Sequence, residues 1–173
     1  AGALEEQYGA DRVTLVDAGD AIQGQAVGTL SQGEYIISLM NAAGYDLAVP
    51  GNHEFDYGVD RLMELAAGAE FPYLSCNFTG LAAGEPVFQP YALLDYGDTT
   101  VGYVGICTPE SLTKTDPTYF RDEAGEAVYG FRQGGDGQEL YDCVQAAVDQ
   151  ARAGGADYVV AVGHLGNEGI SAQ

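Results

Sequence analysis

Three short apolar runs, ending near Val16, Val49 and Val162, are each followed within a few residues by glycine and a side chain able to bind a metal. Between the first two, and again after the second, lies an amphipathic helical pattern. This alternation restricts the fold more than any other feature. Strand–loop–helix order argues for parallel strands joined by crossover helices. In open sheets of that kind, ligands bind in the loops beyond the carboxyl ends of the strands.

Leu4 and Tyr8 suggest a first helix, and Val13 to Val16 a first strand closed by Asp17-Ala18-Gly19-Asp20. After a loop through Gly24, Gln25 and Gly28, Ser31 should open a helix, with Glu34 completing a capping box. Tyr35, Ile36, Leu39, Met40 and Ala43 share one side of it, and Gly44 stops it. Asp46 to Val49 reads as a buried strand. Val59, Leu62, Met63, Ala66 and Ala67 form a second stripe ending at Gly68, and Phe71 to Ser75 a further strand. Leu93 to Tyr96 and Val101 to Ile106 flank Gly97-Asp98-Thr99-Thr100 as a hairpin. Residues 107–137 show no sustained period and read as a long loop with at most a short ordered piece. Leu140, Cys143, Val144, Ala147, Val148 and Ala151 keep helical spacing behind Asp136 and Glu139, and Gly154-Gly155 ends that helix. Tyr158 to Val162 is the last strand. With 173 residues and no repeats or linker, the chain is one domain able to bury a core.

With 26 acidic and 6 basic residues, the formal charge is −20 and no basic stripe exists. Such a surface repels a polyphosphate backbone, which excludes nucleic-acid binding through Lys and Arg. A phosphate ester bound here would have to be neutralised by something else, such as a metal. No apolar run is long enough to span a membrane. Cys76, Cys107 and Cys143 are odd in number and lack CxxC spacing, so they read as small buried hydrophobes rather than a disulfide framework.

Asn52-His53-Glu54-Phe55-Asp56 places an amide oxygen, an imidazole and two carboxylates within five consecutive residues. Core packing needs no such set. Asp20 offers an anionic oxygen that can bridge two cations, Asn52 a neutral oxygen and His164 an imidazole nitrogen. That mixture suits Mn, Zn, Fe or Co better than a thiolate-loving metal. His53 and His164 are the only histidines, each in a glycine-flanked loop after a strand. Asp17 lies close enough to compete for the role of Asp20.

Val16-Asp17-Ala18-Gly19-Asp20, Gly51 through Gly58, Gly102 through Ile106 with Thr108-Pro109-Glu110, and Gly163-His164-Leu165-Gly166 resemble successive blocks of the 5′-nucleotidase family of calcineurin-like metallophosphoesterases. The resemblance implies an α/β fold, an α-β-β-α sandwich with a mixed sheet and flanking helices. It implies hydrolysis of nucleotide phosphate monoesters. Two divalent ions about 3.5–4 Å apart would activate water. Residue by residue, Asp20 would bridge the metals, Asn52 and His164 would ligate the second, and His53 would be the catalytic histidine oriented by Asp56. Glu54 would stand behind the ligands or be structural, with no chemical role. Cyclic nucleotides, sugar phosphates or sulfur esters are alternative substrates, and a non-catalytic remnant or binding module is an alternative of another class.

Residues 1–173 lack the Asp-x-His strand with which the family begins, its downstream Gly-His-x-His block and its C-terminal substrate domain. This chain is therefore expected to bind at most one metal, weakly, and to be inactive alone. The missing first strand should expose a sheet edge that invites dimer pairing. Family resemblance also implies export from the cell.

Overall fold

The computed structural model describes residues 1–166 as a mixed α/β fold. Its helices are α1 (Gly2–Tyr8), α2 (Ala26–Ser31), α3 (Glu34–Ala43), α4 (Val59–Gly68), α5 (Ser111–Lys114) and α6 (Gln138–Ala153). Its strands are β1 (Val16–Asp17), β2 (Leu47–Ala48), β3 (Phe78–Gly80), β4 (Glu85–Pro86), β5 (Tyr91–Asp95), β6 (Thr100–Ile106), β7 (Tyr129–Phe131) and β8 (Tyr158–Gly163). They pair as β1-β2, β4-β3-β7 and β5-β6-β8.

The expected crossovers are present. β1 and β2 run parallel, with Val16 opposite Leu47, and α2 and α3 lie between them in sequence. β6 and β8 run parallel from Val101 opposite Tyr158 to Ile106 opposite Gly163, joined through α6. Leu140, Cys143 and Ala147 of α6 bury against Val104 and Ile106 of β6, so the helical stripe closes one face of this sheet. The β5–β6 hairpin pairs Tyr91 with Val104, and its turn is closed by the Tyr96 N–H donating to the Thr99 carbonyl.

Three expectations change. Ser31 ends α2 instead of opening the next helix. Gln32 and Gly33 take φ of 47° and 89°, which turns the chain before α3 begins at Glu34. A Cβ on Gly33 would meet Leu65 Cδ1 at 2.7 Å, so only glycine makes this turn against α4. Ser31 Oγ donates to the Val27 carbonyl and accepts the Tyr35 N–H, and no capping box forms.

Residues 71–75 are not a strand. Pro72 has no N–H to donate, and the segment makes only isolated bridges, Tyr73 with Ala48 and Leu74 with Gln89. It still joins two sheets: Leu74 N–H donates to Ala48, and Cys76 N–H to Gly105. A Cβ on Gly105 would lie 2.3 Å from the Leu74 carbonyl oxygen, so β6 requires glycine there.

Within residues 107–137, β7 pairs antiparallel with β3, placing Phe131 opposite Phe78. These rings surround Phe55 together with Phe120, at centroid distances of 5.1–5.8 Å from it. Phe55 is fully buried. Its removal from water contributes roughly 2–3 kcal/mol, and it anchors the 53–55 turn to the second sheet.

Candidate functional site

Parallel pairing of β1 with β2 brings the loop after Asp17 beside the loop after Ala48. The two backbones come so close that a Cβ on Gly19 would lie 2.4 Å from the Gly51 nitrogen. Asp20 adopts φ 67°, a left-handed conformation that non-glycine residues seldom hold without outside support.

Glu54 supplies that support. Its carboxylate accepts the N–H groups of Asp20 at 2.7 Å, Ala21 at 2.8 Å and Gly51 at 2.6 Å, with Ile22 at 3.4 Å. The side chain is completely buried, and that burial pushes its carboxyl upward while the Asp20 and Gly51 N–H groups pull it back. A buried carboxylate is tolerated only when hydrogen-bonded in this way. Glu54 therefore ties both loops together, a structural role of the kind the sequence left to it.

The Asp20 carboxylate points into the space between the loops. Oδ1 accepts the His53 N–H at 2.9 Å, and Oδ2 lies 3.3 Å from His164 Nε2. His164 Nδ1 is 2.8 Å from the Ala18 carbonyl, which only accepts, so Nδ1 carries a hydrogen and Nε2 of the neutral ring is a free lone pair. Bonding of one ring N–H to a backbone carbonyl, with the other nitrogen left for the ion, is how metal-binding histidines are held. Two lone-pair atoms at this separation require a positive charge between them, a proton or a cation. The donor pair therefore fits a divalent metal. Asn52 begins the His53–Phe55 turn, and its half-buried side chain makes no capping bond to it.

His53 Nδ1 lies 2.6 Å from Asp56 Oδ2, one helical turn on. That bond is the main influence raising the imidazole above its usual range, while partial burial opposes it. The Asp17 carboxylate accepts the Gly19 N–H at 2.9 Å, and burial pushes it up. Among the described residues no group of three or more His, Cys, Asp and Glu side chains gathers around one point. The candidate set is smaller and mixed.

Residues 3–173 match the family of calcineurin-like phosphoesterases. The chain belongs to that family. A bovine 5′-nucleotidase is 34% identical over 164 residues, covering 90% of this chain and 26% of its own length. A 2′,3′-cyclic-nucleotide 2′-phosphodiesterase/3′-nucleotidase from Yersinia enterocolitica is 32% identical over 171 residues, covering 88% and 24%. Among solved structures, the calcineurin-like phosphoesterase YfkN from Bacillus subtilis superposes with a TM-score of 0.75 at 28% identity, covering 96% of this chain and 52% of that one. The chain thus spans about a quarter of the length of these curated relatives.

Calcineurin-like phosphoesterases use divalent metals, and the site places Asp20, His53, Asp56 and His164 around the loops expected to hold them. Sequence reasoning underrated Glu54. Its one signal was position: three residues after Gly51, close enough to reach back to that N–H.

Proposed function

We propose that this chain is the metal-binding part of a phosphohydrolase that cleaves nucleotide phosphate monoesters. The observation that carries the reading is the meeting of Asp20 with His164 from opposite ends of the chain, beside the His53–Asp56 pair. Asp20, Asn52 and His164 would hold a divalent cation such as Mn, Zn, Fe or Co through two oxygens and a nitrogen. A cation there supplies positive charge at the phosphate and acidifies a water molecule. His53, whose protonated form the Asp56 bond favours, presents its other nitrogen as a donor to the phosphoryl or leaving-group oxygen. With only 6 basic residues and none in these loops, charge neutralisation falls to the cation and this one imidazole.

The Yersinia relative's identity, close to that of the bovine 5′-nucleotidase, favours cyclic phosphodiesters as a second substrate class. No described helix is long and apolar enough to cross a membrane. Export belongs to this reading through the family resemblance.

Calorimetric titration of the chain with Mn should show at most one ion per chain, bound weakly, and none in Asp20→Asn or His164→Ala. Two tightly held ions would overturn the donor assignment. In the protein at the full length of its relatives, Mn-dependent hydrolysis of p-nitrophenyl phosphate should be abolished by His53→Ala. Unchanged turnover would remove His53 from the chemistry.

A further inference from the structure

We propose that Cys76 and Cys143 form a dithiol site that exchanges with a small neutral disulfide and closes into an intramolecular disulfide. Their sulfurs lie 3.9 Å apart, although 67 positions separate them in the chain. Cys143 sits on the buried face of α6, and Cys76 follows the irregular segment 71–75, outside any strand. A disulfide needs sulfurs about 2 Å apart. A side chain outside regular structure is well placed to close the remaining gap by rotation.

Cys76 and Cys143 both line one cavity of about 460 Å³, walled also by Glu85, Phe88, Arg132 and Gln150. A small reagent therefore has a route to two thiols that are otherwise buried. The Cys76 S–H can donate to Cys143, which with nearby Arg132 holds the Cys143 thiol below its usual range. The same bond, then burial, pushes Cys76 up. The Cys143 S–H also reaches the Leu140 carbonyl at 3.1 Å. The roles follow from placement: Cys143 is fixed on α6 and takes the reagent, while Cys76, outside any strand, swings in as the resolving thiol.

In the first step the Cys143 thiolate attacks one sulfur of R–S–S–R. That bond breaks, and the released R–S⁻ takes a proton. Cys76 then loses its proton and attacks the Cys143 sulfur, expelling the second R–S⁻, which is protonated in turn. Overall two protein thiols give up two electrons and two protons, and R–S–S–R gains them as two R–SH.

Cys107 is an internal control. It is fully buried, its sulfur lies against the Thr108 carbonyl, and burial pushes its thiol up. Because the chain carries −20, the probe should be uncharged. The folded chain would be equilibrated with 2-hydroxyethyl disulfide, acid-quenched, and its thiols counted under denaturing conditions. Two of the three thiols should be lost, with the mass of two hydrogens, and peptide mapping should link Cys76 to Cys143. Cys76→Ser should accumulate a mixed disulfide at Cys143, and Cys143→Ser should leave Cys76 unmodified. Three surviving thiols in the wild-type chain, a linkage through Cys107, or a lasting adduct at Cys143 would overturn the proposal. The wild-type map decides without relying on either variant.

Discussion

The N–H of Asp20 donates to the buried Glu54 carboxylate over 2.7 Å, and the Gly51 N–H meets the same carboxylate at 2.6 Å. One acidic side chain thereby fixes a left-handed Asp20 and the start of the loop bearing Asn52 and His53. Replacing it with glutamine exchanges an accepting oxygen for an NH₂ group that faces backbone donors. Glu54→Gln should destabilise the fold by about 2–4 kcal/mol, read as a lower urea midpoint at unchanged slope. A change within about 0.5 kcal/mol, ordinary for a surface substitution, would show that the clamp carries no stability.

Gly51 and Gly105 separate site from scaffold. A Cβ on Gly51 would lie 2.3 Å from Asp20 Oδ1 and 2.9 Å from His164 Cε1, inside the candidate cation position. Gly51→Ala should lose Mn binding in calorimetry. At Gly105 the added carbon would strike the Leu74 carbonyl and Cβ instead of those donors. Gly105→Ala should cost about 1–3 kcal/mol by denaturant unfolding, while the molecules still folded bind Mn as the wild type does.

Titration of His53 tests its partnership with Asp56. Since Asp56 raises the imidazole above its usual range, Asp56→Asn should move the NMR midpoint of the His53 ring protons to lower pH. The sign for stability follows from a folded midpoint above the unfolded one. The pair's contribution is complete below pH 6.5 and fades as pH rises through the folded midpoint. An unmoved midpoint in Asp56→Asn would contradict the bond.

Phe55 connects the reactive turn to the second sheet. Phe55→Ala should cost about 3–5 kcal/mol, and Phe55→Leu much less. In the leucine variant, increased amide exchange at residues 53–56 should accompany any loss of Mn affinity. Normal exchange protection in Phe55→Leu would mean the ring is filler and not an anchor.

Much of this arrangement was legible in the residues. The stripe from Leu140 to Ala151 became α6, and the Gly97-Asp98 turn became the β5–β6 hairpin, because local spacing and turn chemistry agreed with burial. The meeting of Asp20 with His164 was foreseeable from strand ends alone. The β3–β7 pairing was not: each strand has three residues, too few to display alternation, and only their aromatic packing specifies it. Ser31 and Glu34 had the spacing of a capping box, but the chain reversal at Gln32 and Gly33 prevailed. The sequence leaves Glu54 a structural place without a chemical role, and only its position three residues after Gly51 hints at the N–H groups that converge on it.

His164 reaches Asp20 from β8, which enters the sheet by pairing with β6. On the ribosome, the Glu54 clamp can therefore close while the imidazole that completes the cation site has yet to be synthesised. A nascent chain stalled before Tyr158 should protect the Asp20 and Gly51 amides from exchange but retain no Mn. Assembly of the scaffold and acquisition of an ion would then be consecutive events in the life of the polypeptide.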